Sequence, residues 1–187
     1  MERKATPRPS YDAYFMEMAR LSDDRSTCFR RQVGAVIVKE KHVIATGYNG
    51  NPKGFEHCED IGCIRQELEV PSGQNHELCT GLHAEQNAIL QAARFGSAVE
   101  GGTMFTTVFP CVICVKMMIN AGIREVVYDE GYPDPLGAWM LARSTLVVRR
   151  YGEEQPKARD TSKSLEQLAQ ELKPTLPWFN GNAKLRA

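Results

Sequence analysis

Residues 83–130, HAEQNAILQAARFGSAVEGGTMFTTVFPCVICVKMMINAGIREVVYDE, decide the fold. His83 to Phe95 reads as a helix, with Ala88, Ala92 and Phe95 on one face and Gly96 as its stop. Thr103–Val108 is β-rich and predicts a strand. Cys111 to Ala121 predicts a buried helix closed by Gly122, and Glu125–Tyr128 a further strand. Downstream, Leu136–Arg143 reads as a short helix and Thr145–Val148 as a last strand. Upstream, Ser10 caps a helix whose stripe is Tyr11, Tyr14, Phe15 and Met18 and which ends at Asp23 and Asp24. Val33–Val38 and Val43–Tyr48 pair as a hairpin around the Lys39–His42 turn. Strands alternating with helices imply an α/β sheet covered on both faces.

Composition sets outer bounds. The 187 residues are 42% hydrophobic and 25% charged, which excludes wholesale disorder and suits one domain with a short appendage. Lys plus Arg equals Asp plus Glu at 23 each, so the chain lacks the basic surplus of a general nucleic-acid coater. A small anionic substrate needs only one or two placed arginines. No apolar run approaches the ~20 residues of a membrane span, and MERKATPRPSYDAYF has no apolar segment behind its basic start, so neither membrane insertion nor a signal peptide is expected. The six cysteines, Cys28, Cys58, Cys63, Cys79, Cys111 and Cys114, are then expected in a reducing, cytoplasmic setting, where metal binding outranks disulfides.

The chemistry concentrates in His83-Ala84-Glu85 and Pro110-Cys111-Val112-Ile113-Cys114. Two thiolates and one imidazole are three ligands, the number that leaves zinc an open position for water. Cys111 and Cys114 share one helical face at i, i+3. Both groups open predicted helices, whose positive ends favour thiolates. Glu85 is the discriminating residue. A structural site wants a fourth ligand and has no use for a carboxylate two residues from His83, whereas a hydrolytic site needs one to carry protons.

Between the hairpin and His83, residues 49–82 lose regular pattern while holding five Gly, two Pro and three of the six Cys. A structureless stretch of more than about 30 residues is uncommon unless something orders it, and a metal is a ready candidate. His76-Glu77-Leu78-Cys79 has a His-x-x-Cys spacing suited to one tetrahedral ion. Asn49 before Gly50 fits a tight turn. Arg94 reads most simply as a surface residue, and Tyr132 in Glu130-Gly131-Tyr132-Pro133 as a loop aromatic.

His-Ala-Glu with Pro-Cys-x-x-Cys resembles the signature of zinc-dependent nucleobase and nucleotide deaminases. Within that class the chain is similar to the deoxycytidylate (dCMP) deaminases, through Arg31-Gln32-Val33-Gly34-Ala35, Gly47-Tyr48-Asn49-Gly50-Asn51-Pro52, His83–Ile89 and Phe109-Pro110-Cys111. The resemblance runs from about Tyr11 to Val148. It implies a three-layer α/β/α cytidine-deaminase-like fold with a mixed, roughly five-stranded sheet. It also implies zinc on His83, Cys111 and Cys114, with Glu85 taking a proton from the zinc's water, delivering it to N3 of cytosine and then to the leaving amine. Asn49 is placed against substrate, Arg94 near a nucleotide site across a subunit boundary, and Tyr132 over the substrate. A second, structural zinc follows for Cys28, Cys58, His76 and Cys79, with Cys63 as the substitute. Homohexamers with dCTP and dTTP feedback are common in the family, so an oligomer is expected. Other zinc deaminases acting on free cytosine or cytidine, tRNA adenosine or a riboflavin precursor remain open, as does a nucleotide-binding regulatory module without turnover.

The organisation expected is a deaminase-like domain over 1–150, with 49–82 as a metal-rich insertion, then an extension over 151–187. In that extension Glu153–Lys163 is a linker and Leu165, Leu168, Ala169 and Leu172 an amphipathic helix ended by Pro174. Trp178 and Phe179 are expected to dock on the chain's own core or on a neighbouring subunit.

Overall fold

A computed structural model describes residues 7–131, 135–153 and 159–175. Five strands form one mixed sheet in the order β2-β1-β3-β4-β5. β1 (Gly34–Lys39) pairs antiparallel with β2 (His42–Tyr48) and with β3 (Thr103–Val108). β4 (Glu125–Glu130) and β5 (Val147–Arg150) continue parallel to β3. Helix α1 (Tyr11–Asp23) covers one face. On the other lie α4 (Ala84–Arg94), α5 (Val112–Asn120) and α6 (Pro135–Arg143), giving the expected three layers.

The period-2 alternation of the central strands divides the core. Val36 and Val38 of β1, Phe105 of β3 and Val127 of β4 meet Phe15, Met16 and Ala19 of α1. Ala35, Ile37, Met104 and Val126 face the opposite way onto Ala84, Ala88, Ala92, Val115 and Met118. Burying each large side chain contributes about 1.5–3 kcal/mol, so both faces are energetically committed. The centre of the α1 stripe differs from expectation. Met16 and Ala19 are fully buried, while Tyr11 and Tyr14 stand 46% and 47% exposed, because only the face carrying Phe15, Met16 and Ala19 reaches the sheet. Ser10 caps α1 as predicted, accepting from the Ala13 N–H at 3.1 Å.

Close approach of α4 to β2 fixes the site. A Cβ on Gly47 would stand 2.2 Å from the Ala84 carbonyl oxygen and 2.5 Å from the Ala88 nitrogen, so only glycine lets the start of α4 lie there. Asn87 reinforces the contact, its Nδ2 donating to the Tyr48 carbonyl at 2.8 Å. α4 ends at Arg94, one residue before Phe95, whose ring is 72% exposed instead of buried and takes the Arg94 guanidinium 5.8 Å from its centroid. β5 runs two residues later than expected. Arg149 is accommodated within it because Asp12 and Glu125 hold its guanidinium at 2.6 and 2.8 Å.

The stretch after β2 is less irregular than its sequence suggests. It contains single-turn helices α2 (Cys58–Ile61) and α3 (Ile64–Glu67) and a 3-10 turn at His76–Leu78. Its neck is closed by two backbone bonds, Gly50 N–H to Leu82 O at 3.1 Å and Leu82 N–H to Gly50 O at 2.9 Å. At the far end, Ser164 caps α7 (Leu165–Leu172). Leu168 alone of the expected stripe is fully buried, and Leu165 is 64% exposed. Trp139 Nε1 donates to the Lys163 carbonyl at 3.0 Å, and Arg143 donates to Thr161 and Lys163, so this stretch docks on the chain's own α6. Trp178 and Phe179 lie outside the described residues.

Candidate metal centre and active-site cavity

Two helix starts converge on one point. His83 is the N-cap of α4 and Cys111 the N-cap of α5, with Cys114 one turn further. The closed neck of the insertion holds His83 from one side. Pro110, fully buried, turns the chain from β3 into α5 on the other. His83 Nδ1 lies 3.3 Å from Cys111 Sγ and 3.4 Å from Cys114 Sγ, and the two sulfurs are 3.7 Å apart. Ligands on a tetrahedral zinc, at about 2.3 Å for sulfur and 2.0–2.1 Å for nitrogen, stand roughly 3.5–3.8 Å from one another. The three residues therefore fit zinc in both donor type and spacing. Among the described residues they are the one group of at least three such donors drawn this close.

The electrostatics agree. The thiol of Cys114 and the His83 imidazole pull the Cys111 thiol down to about 3. Cys114 is pushed up, first because it holds the proton shared with Cys111 and then by burial. His83 is raised by its bond to Cys111. A divalent cation held by His83, Cys111 and Cys114 would require both sulfurs as thiolates and would remove that asymmetry. Glu85, in the first turn of α4, is 3% exposed, and its Oε2 accepts from the Cys114 thiol at 3.5 Å. Burial raises its carboxyl pKa, the direction that lets a carboxyl act as acid as well as base.

A cavity of about 810 Å³ opens above this cluster, lined by His83, Glu85, Asn49 and the apolar Val33, Val108 and Phe109. That is the size range of small-ligand sites. Asn49 faces it while bracing the segment that leads into β1, its Oδ1 accepting from Val33 N–H at 2.8 Å and its Nδ2 donating to Arg31 O at 2.9 Å. One amide hydrogen and one lone pair stay available. Cys28, Cys58, Cys63, His76 and Cys79 line the same cavity. Burial and then the nearby Cys28 raise Cys58, while the His76 ring sits edge-on to His83 at 5.0 Å. Arg94 stands at the exposed far end of α4, outside this lining. Tyr132 lies outside the described residues. Arg65 gave no signal in the sequence. It sits on a one-turn helix without periodicity, yet it is buried against the cavity.

The model of the cytidine and deoxycytidylate deaminase zinc-binding region matches residues 9–130. This chain belongs to the cytidine and deoxycytidylate deaminase family. Among its relatives is a deoxycytidylate deaminase of Schizosaccharomyces pombe, 41% identical over 145 residues, covering 77% of this chain and 45% of that protein. Another, from Mycobacterium phage D29, is 37% identical over 128 residues, covering 66% of this chain and 97% of that one. The chain thus spans about half the length of the yeast relatives it matches. A dCMP deaminase from the cyanophage S-TIM5, solved in complex with dCMP and dUMP, is 28% identical with a TM-score of 0.60, covering 78% of this chain and 99% of that one. The shared family accounts for the zinc-type donor set.

Proposed function

We propose that the protein hydrolyses dCMP to dUMP and ammonia, supplying dUMP for thymidylate synthesis. The observation that carries this reading is the buried Glu85 carboxyl set against three zinc-spaced donors at the floor of a nucleotide-sized cavity. His83, Cys111 and Cys114 would hold the zinc, which when bound supplies Lewis-acid activation of water. Glu85 accepts a proton from the attacking water, delivers it to N3 as oxygen adds at C4, and carries a second proton to the departing amine. Valley-like walls of Val33, Val108 and Phe109 keep bulk water from the ring. Asn49 hydrogen-bonds the sugar or base with its free hydrogen and lone pair, and Tyr132 caps the substrate.

The proposed deaminase domain spans 1–150, with the 49–82 insertion inside it, and is followed by the extension over 151–187. In the insertion, a second, structural zinc on Cys28, Cys58, His76 and Cys79, with Cys63 as the substitute, would order a segment poor in buried apolar residues by drawing closer donors that, among the described residues, do not stand within 4.8 Å of one another as His83, Cys111 and Cys114 do. A cytoplasmic homo-oligomer, hexameric in the pattern common to its family, suits the exposed Leu90 and Phe95 at the end of α4. There Arg94 reaches a nucleotide only on a neighbouring subunit, and dCTP and dTTP act as effectors. No described helix is long and apolar enough to cross a membrane.

Ammonia release from dCMP, cytidine, cytosine and a tRNA hairpin tests the substrate, with dCMP expected to be fastest. Faster turnover of cytidine or the hairpin would overturn the reading. Binding of dCMP with no ammonia released would point to a regulatory module.

A further inference from the structure

Arg65 presents a charge that the fold does not balance. It is 8% exposed, yet the ion pairs among the described residues engage Arg20, Arg31, Arg149 and Lys163 and not Arg65. Its Nη2 donates to the carbonyl oxygens of Pro71, at 3.4 Å, and of Gln74. Its Nε is buried with no partner among the described residues. A buried guanidinium left with unmade hydrogen bonds and no counter-anion is costly, so its natural complement is an anion that arrives with a ligand.

Position says which anion. Arg65 lines the same cavity as His83, Glu85 and Asn49. Arg30 stands beside it, Nη1 donating to the Arg65 carbonyl at 3.3 Å, and also lines the cavity. Arg31 is already engaged by Glu130 at 2.8 Å. Glu69, the other acid besides Glu85 in the lining, is exposed. A nucleoside monophosphate with its base over the Glu85 end must place its phosphate elsewhere in this cavity. The guanidinium fork is the side chain best matched to phosphate oxygens.

We propose that Arg65, with Arg30 beside it, forms the substrate-phosphate subsite and makes the cavity select a nucleotide over its nucleoside. This rests on the deaminase reading above and adds the group that distinguishes dCMP from deoxycytidine. Because Nη2 ties down residues 71 and 74, Arg65 also acts as a strap on the insertion, so the test must separate the two roles.

The experiment compares kcat/KM for dCMP and for deoxycytidine in zinc-loaded wild type, Arg65→Ala, Arg65→Lys and Arg94→Ala. The dCMP-to-deoxycytidine ratio is expected to fall about 100-fold in Arg65→Ala, mostly through KM, and to be partly restored in Arg65→Lys. Parallel loss on both substrates would make Arg65 a strap only, and collapse of the ratio in Arg94→Ala instead would move phosphate recognition across a subunit boundary. Either result overturns the proposal. Should Arg65→Ala not fold, dUMP against deoxyuridine binding to wild type and Arg65→Lys decides, and equal affinities in wild type overturn it. Wild type inactive on both substrates would sink the deaminase reading, while the dUMP binding comparison would still judge Arg65.

Discussion

The metal centre and the insertion above it are built by opposite means. His83, Cys111 and Cys114 stand on the first turns of two helices locked to the sheet by Gly47, Asn87 and Pro110, and their donors are at zinc spacing from packing alone. The insertion has one-turn helices, with Cys58, Arg65 and Val70 as its buried residues, and a two-bond neck. The contrast teaches that chemistry is entrusted to elements that need no ligand for their shape. On the proposals above, selection of the ligand would fall to a segment that completes its shape with one.

The sharpest break of this comparison is removal of a ligand from each region. Cys111→Ala is expected to lose its zinc and dCMP turnover entirely while keeping its circular-dichroism spectrum, because the helices are held by the core. Cys58→Ala is expected to lose a different ion, to lower the melting temperature, and to retain turnover well above that of Cys111→Ala. Metal analysis alongside activity checks both, and one ion per wild-type chain would remove the second site. Next in size, Gly47→Ala should cost about 1–3 kcal/mol or more by forcing α4 from β2, and turnover should fall with it since His83 and Glu85 ride on α4. Thermal unfolding and kcat measured together test that coupling.

How much of this was legible depended on whether the signal was local and periodic. The donors were, because Cys111 and Cys114 sit one turn apart and His83 and Glu85 open a long helix. The layer order followed from strands alternating with helices. The insertion's helices were not legible, since a four-residue helix shows no period. Arg65 was invisible for a similar reason. A lone arginine among polar neighbours reads as solvent-facing, and only the fold of residues 71–74 over it buries it. Phe95 misled because its apolarity suggested a core face that α4 has already left.

Away from both regions effects should be smaller and confined to stability. Leu168→Ala is expected to cost about 2–4 kcal/mol by leaving a cavity between α7 and α6, with turnover unchanged. Ser10→Ala should cost about 1 kcal/mol by removing the α1 cap. A comparable loss of turnover in either variant would show that the site is not insulated from the periphery.

The most direct test of the central claim is ammonia release from dCMP by wild type and Glu85→Gln at matched zinc content. The account predicts rapid release by wild type and a fall of about 10³–10⁴-fold in Glu85→Gln with zinc still bound. A Glu85→Gln protein within about tenfold of wild type would show that the proton travels by another group, and would contradict it.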